Sequence, residues 1–244
     1  MTAGGRSVRP YVAIAGLLLL GTVFALLGAW QLRRAATSQA TLAQFERGDA
    51  AATLQELPRS LDEDQRFRRF EVQGEWVAEP QFLLDNQLHD GVAGYDVLTA
   101  LRLPGVRERL LVDRGWVPTG PDRRVLPNVA IEGDARHVSG RLERLRRPGL
   151  RLGDRTVPGP SAGLTVVQFP TADELAERLG APVFDYQLLL DAEAPDGYMR
   201  DWQAPGIPVE RHLAYAGQWL LLAAGALAAA VVMAAKHLRR GRAT

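Results

Sequence analysis

The chain has 244 residues and no cysteine, which excludes disulfides, thiolate metal sites, c-type haem attachment and a cysteine nucleophile. Its net charge of +1 is unevenly spread: residues 33–212 hold all 28 acids and 23 arginines, a net of −5, and the flanks are basic. An acidic middle argues against nucleic acid as a partner, and the length allows one ordinary domain plus accessories.

Residues 1–10 carry Arg6 and Arg9 and no acid. Tyr11–Trp30 follows, 20 residues without a charge. About 20 apolar residues cross the roughly 30 Å of a bilayer core, so a transmembrane helix is expected over 11–32. A core helix of that length would show a polar face. A cleaved signal peptide is the rival reading. Its apolar region runs only roughly 7–15 residues, and Leu27-Gly28-Ala29-Trp30 is a poor cleavage site. Gly21, Ala25 and Gly28 form an expected small-residue face for helix packing.

Residues 33–65 read as a partly helical linker, with a charged turn from Leu61 to Arg69. Residues 66–210 read as a β-rich domain. Strand signals fall at Phe67–Trp76, Gln81–Asn86, Gly94–Leu103, Arg109–Val117, His137–Leu142, Gly163–Phe169 and Val183–Leu190. Pro104-Gly105 predicts a hairpin between the third and fourth. Thr171 as N-cap, Asp173 and Glu174 in the first turn and Gly180 as C-cap predict a short helix. Residues 145–162, rich in Gly, Pro and Arg, read as a long loop.

Leu213–Ala235 is again free of charge for 23 residues, which predicts a second span over 211–235 and a basic tail over 236–244. Lys236, Arg239, Arg240 and Arg242 in that tail, with Arg6 and Arg9, place both termini in the cytoplasm. Arg33 and Arg34 lie on the other side, beside a domain-sized loop that translocates largely regardless of charge. The expected fold is thus two transmembrane α-helices flanking an α+β, mostly antiparallel-sheet, barrel-like domain outside the bilayer.

Three places invite a functional reading. Asp113-Arg114-Gly115-Trp116 ends a strand, either as a charged site or as an Asp–Arg pair with a core Trp116 and a bulge or close approach at Gly115. His89-Asp90 offers a metal pair, but no second histidine is near in sequence. His137 has no partner of that kind, and His237 sits in the basic tail. The third place is the boundary of the second span. At about 100° per residue, His212, Tyr215, Ala216, Trp219 and Ala223 share a face, continued by Ala226 and Ala230. Trp30 and Gln31 end the first span at the same level. An aromatic belt with a snorkelling Arg211 explains most of these residues but explains His212 less well. A neutral imidazole is also a ready axial ligand for haem iron.

The motifs form a set. Leu27-Gly28-Ala29-Trp30-Gln31-Leu32-Arg33-Arg34, Gly74-Glu75-Trp76, Leu110-Leu111-Val112-Asp113-Arg114-Gly115-Trp116-Val117-Pro118, Arg200-Asp201-Trp202 and Arg211-His212-Leu213-Ala214-Tyr215-Ala216-Gly217-Gln218-Trp219 occur in this order around two spans. In this the chain resembles the surfeit locus protein family of cytochrome c oxidase assembly factors, nearly end to end. The resemblance implies a non-enzymatic role in which haem a is delivered to or inserted into oxidase subunit I. The partners it implies are subunit I and haem A synthase or other assembly factors. The family's motif histidine falls on His212, the candidate axial ligand, with Tyr215, Trp219 and Trp30 against the porphyrin and Arg211 or Arg33 facing its propionates. The alternative is a scaffold that binds oxidase subunits or assembly factors without haem, through Asp113, Arg114, Gly115 and Trp116. A membrane-anchored enzyme is the third reading, and H-E-x-x-H, P-loop and G-x-G-x-x-G motifs are all missing. The short stretch before the first span suggests a bacterial inner membrane, with the central domain periplasmic.

Overall fold

The computed structural model describes residues 8–51, 53, 54, 56–145, 157, 158 and 163–242. Most of the expected 145–162 loop lies outside the described residues. In chain order the elements are α1 (Arg9–Ala50), β1 (Arg69–Trp76), β2 (Gln81–His89), β3 (Val92–Arg102), β4 (Arg109–Pro118), β5 (Ala135–Arg144), β6 (Val157–Pro158), β7 (Leu164–Val167), α2 (Ala172–Leu179), β8 (Val183–Leu190) and α3 (Val209–Arg242). A 3₁₀ turn at Glu63–Gln65 precedes β1. The chain divides into two compact units, residues 1–43 with 204–244, and residues 44–203.

In the first unit α1 and α3 run antiparallel. The Tyr11 ring meets His237 edge-on at 4.9 Å, and Phe24 stacks on Trp219 at 5.6 Å. His237, although in the basic tail, thus packs its ring against Tyr11. Small residues set the approach: a methyl group on Gly28 would come within 2.9 Å of the Leu220 side chain, and one on Gly21 within 3.5 Å of Ala226. Ala216, Ala226 and Ala230 are buried opposite them. Ala25 is exposed, which corrects the expected stripe. The contact recurs at seven-residue spacing, with Phe24 and Leu27 between the two glycines. The most apolar windows of the two helices are only 6% and 11% buried. A soluble core helix would be mostly covered. Apolar surface this extensive belongs in lipid, and both helices are long enough to span it. Thr22 Oγ1 satisfies itself on the Leu18 carbonyl at 2.9 Å, as a hydroxyl in hydrocarbon must.

The second unit is built on an eight-stranded mixed sheet in the order β1-β5-β8-β4-β3-β2-β7-β6. An additional β1–β3 pairing closes β1, β5, β8, β4 and β3 into a five-stranded barrel. Strand β3 is long enough to pair with β2 along its first half and with β1 at Leu101 and Arg102. The expected hairpin is β3–β4, with Leu101 opposite Leu110. Most pairs are antiparallel, while β4–β8 and β2–β7 are parallel. Helix α2 has the expected caps: Thr171 accepts from the Glu174 N–H, and Gly180 adopts φ +61°.

Alternate residues of the five strands meet inside the barrel. Phe70, Trp76, Leu101, Leu110, Val112, Val138, Leu142, Tyr186, Leu188 and Leu190 form one buried cluster there. A second cluster lies beneath α2, where Leu175 packs on Phe82, Leu84, Leu98 and Leu111. Each fully buried leucine contributes about 1.5–3 kcal/mol, enough together to stabilise a domain that has no disulfide.

Tyr186 lies wholly buried, and its hydroxyl donates to the Pro58 carbonyl at 2.7 Å. Burial pushes its phenol pKa up, and Asp185 and Glu108 push it further. The folded state therefore holds this proton more tightly than the unfolded chain. The contribution is complete below about pH 10, the ordinary phenol value, and is lost as pH rises beyond it. Tyr186→Phe should cost about 1 kcal/mol at neutral pH through the lost hydrogen bond and flatten the alkaline decline. Thermal midpoints of both proteins from pH 7 to 11 check this; identical alkaline slopes would contradict it.

Candidate functional site

In the helical unit, His212 sits in the first turn of α3 and is 8% exposed. Its Nδ1 lies 2.8 Å from Gln31 Oε1 of α1. Nε2 makes no hydrogen bond among the described residues. Trp219, two turns on, is half-buried against Phe24. Ala216 between them is buried, which leaves a smooth strip along the helix pair. Tyr215 is 47% exposed and lies off this strip, at the edge of the expected face. Trp30 is 49% exposed, with the Arg34 guanidinium 5.7 Å over its ring. Arg211 and Arg33 are exposed. The structure thus brings His212 and Trp219 onto one buried strip and leaves Tyr215, Trp30, Arg211 and Arg33 on its surroundings. Gln31 is the partner that sequence reasoning left without a role. Its signal was position, since Gln31 and His212 end facing spans at the same level.

In the barrel unit, Asp113 and Arg114 point to opposite faces of β4, so they do not form the side-by-side pair considered above. Asp96 pairs with Trp116 while Leu98 pairs with Asp113, so β4 carries one extra residue. That bulge turns at Gly115, with φ +102°. Asp113 Oδ1 accepts the Gly115 N–H at 3.1 Å. Arg114 follows Leu110 and Val112 into the barrel and closes its end. Its Nε donates to the Asp196 carbonyl at 2.7 Å, and its NH1 group donates to the Val129 carbonyl at 3.1 Å and the Thr99 hydroxyl at 3.3 Å. The guanidinium lies over the rings of Tyr198 and Trp76, at 5.0 and 5.9 Å. Burial lowers its pKa, and Tyr198 and Asp196 partly offset this.

The Arg200-Asp201-Trp202 motif completes the same structure. Trp116 and Met199 exchange backbone hydrogen bonds at 2.8 and 3.3 Å. Arg200 donates to the carbonyls of Asp191, Ala192, Ala194 and Tyr198. The Trp202 indole donates to the Leu190 carbonyl at 2.7 Å. A methyl group on Gly115 would meet the Met199 oxygen at 2.5 Å. Two motifs far apart in sequence therefore form one clasp across the barrel end. Beside it is an open pocket of about 390 Å³ lined by His89, Asp96, Trp116, Met199, Asp201 and Trp202. The His89 ring is 5.4 Å from Trp116, and its Nε2 lies 3.6 Å from Asp90. His137 is exposed on β5 near Glu71. Among the described residues no three His, Cys, Asp or Glu side chains are grouped to hold a metal ion. One pentapeptide, Gly159-Pro160-Ser161-Ala162-Gly163, fits the G-x-S-x-G pattern. A nucleophile elbow needs a helix after the serine, and Gly163 leads directly into β7. Residues 159–162 lie outside the described residues.

A model of the SURF1 family matches residues 18–224, from within α1 to within α3. The chain belongs to the SURF1 family. It is also similar to the cytochrome oxidase assembly protein SHY1 of Saccharomyces cerevisiae, with 24% identity over 187 residues. That alignment covers 71% of this chain and 47% of the yeast protein, so the chain spans about half the length of the curated relative it matches. Both the barrel clasp and the Gln31–His212 pair of this SURF1-family chain lie inside the family match.

Proposed function

We propose that the chain is a membrane-bound assembly factor for a haem–copper cytochrome oxidase and that it assists haem a delivery or insertion into subunit I. The observation behind this reading is His212: a buried imidazole at the end of a span, with one nitrogen engaged by Gln31 and the other without a hydrogen bond among the described residues. An ionisable side chain at such a place is expensive and marks function. When bound, haem would supply an iron centre, and a neutral histidine is a standard ligand for it. The residues suit that group. His212 offers the donor nitrogen, Trp219 and the exposed Tyr215 and Trp30 offer flat apolar contact, and Arg211 and Arg33 offer charge for propionates. The name of the yeast relative supports the assembly role. The basic flanks support cytoplasmic termini and a periplasmic barrel in a bacterial inner membrane. The antiparallel helix pair is consistent with termini on one side.

The pocket beside the clasp favours a second reading, a scaffold that holds oxidase subunits or other assembly factors. Two tryptophans, His89, Asp96 and Asp201 around a concave surface suit a protein partner. Cells that lack the chain should assemble less oxidase, seen as a weaker haem a band in their membranes. Unchanged oxidase content in those cells would sink the assembly role under either reading.

A further inference from the structure

We infer that Gln31 is a positioning residue that fixes the tautomer of His212. The step rests on the 2.8 Å contact between Gln31 Oε1 and His212 Nδ1. An amide oxygen can only accept. With the amide oxygen facing it, Nδ1 carries the ring proton, and the lone pair of the neutral imidazole is left on Nε2. Without Gln31 no protein group among the described residues holds that proton on Nδ1, because the 2.8 Å contact is the ring's one hydrogen bond there. Burial sharpens the effect: His212 is 8% exposed, so water competes little for Nδ1.

The geometry is built from both helices. Gln31 lies in α1 one turn beyond Leu27 and Gly28, and Gly28 allows α3 to approach closely at Leu220 and Ala216. His212 lies one turn before Ala216 on the same strip. The small residues thus set the distance at which the two side chains meet. An acceptor on the far nitrogen is the usual way a protein orients a histidine toward a metal and raises its basicity. The consequence for haem rests on the proposed function; the tautomer itself does not.

The first experiment uses the full chain in detergent, labelled with ¹⁵N-histidine, and assigns His212 by the signal missing in His212→Gln. The native protein should show His212 protonated at Nδ1. Gln31→Ala should lose that preference, and Gln31→Glu should keep it, since a carboxylate is the stronger acceptor. An Nε2-protonated His212 in the native protein, or a tautomer unchanged in Gln31→Ala, overturns the inference. The second experiment loads the same proteins with haem a by co-expression with haem A synthesis. Gln31→Ala should lower haem retention on the order of tenfold or more. Gln31→Glu should restore retention and lower the midpoint potential of the haem, because a more basic imidazole favours ferric iron. Loss of haem in His212→Ala together with native retention and potential in Gln31→Ala rejects the role of Gln31 toward iron and leaves the proposed function standing. Full haem in His212→Ala rejects the proposed ligand, while the ¹⁵N result still decides the tautomer.

Discussion

Gly115→Val should cost at least about 3 kcal/mol and lower the thermal midpoint of the barrel by at least about 6 °C. Two effects add at this position. The backbone stands at φ +102°, where a β-branched residue is strained. The first side-chain carbon would also sit 2.5 Å from the Met199 oxygen and 2.6 Å from Arg200 Cγ. The Met199 contact is backbone, so relief requires breaking the bridge between Trp116 and Met199. The loop that carries Tyr198 would move, and the carbonyl and ring contacts of Arg114 would go with it. Removing partners from a buried guanidinium is costly in its own right. Gly105 provides an internal control: it has φ +72° with nothing within 4 Å, so Gly105→Ala meets strain without a clash. Tryptophan fluorescence on heating distinguishes the two variants. Equal, small shifts would mean that the clasp does not hold the barrel end.

His212→Ala should remove at least nine-tenths of the haem a bound by the purified chain. The substitution deletes the imidazole nitrogen that could ligate iron on the strip of α3 and replaces a buried ring by a good helix former. It removes the hydrogen bond to Gln31 and leaves the Phe24–Trp219 and Tyr11–His237 ring contacts and the close approach at Gly28 in place. An unchanged elution profile and helix content in the variant would separate ligand loss from misfolding. Haem absorbance is the readout, and a full complement in the variant would reject the axial role.

Much of the fold was legible because its signals are local. Helix α2 announces itself through Thr171, Asp173, Glu174 and Gly180, and the β3–β4 hairpin through Pro104-Gly105 between two alternating runs. Absence of charge over Tyr11–Trp30 and Leu213–Ala235 marks both spans. What stayed hidden depends on partners far apart in sequence. A barrel-like sheet was expected, but not which strands close it: closure sets Trp76 beside Leu101, and the parallel β4–β8 pair sets Val112 beside Leu188; no periodicity encodes either pairing. The run Leu110-Leu111-Val112 is apolar on both faces, so the inward direction of Arg114 could not be read from it. Gly115 showed that something close or bent occurs there, and the structure has both, a bulge and the approach of Met199. At the helix pair, the wheel put Tyr215 on the edge of the His212 face, and the contact with α1 is narrower than that face. Ala25 missed for a similar reason, since the crossing repeats every seven residues and admits Phe24 in between. The shared level of Gln31 and His212 was legible from the spans and their basic flanks; that these two side chains meet depends on the rotation of each helix about its axis, which two separate apolar runs do not supply.

The most direct test of haem a handling is an absorption spectrum of the full chain purified in detergent from cells that make haem A. A haem a spectrum that follows the protein through purification, and fades in His212→Ala, is the expected result. A colourless native protein from the same cells would contradict haem binding by this chain and leave the scaffold reading at the Trp116–Trp202 pocket in its place.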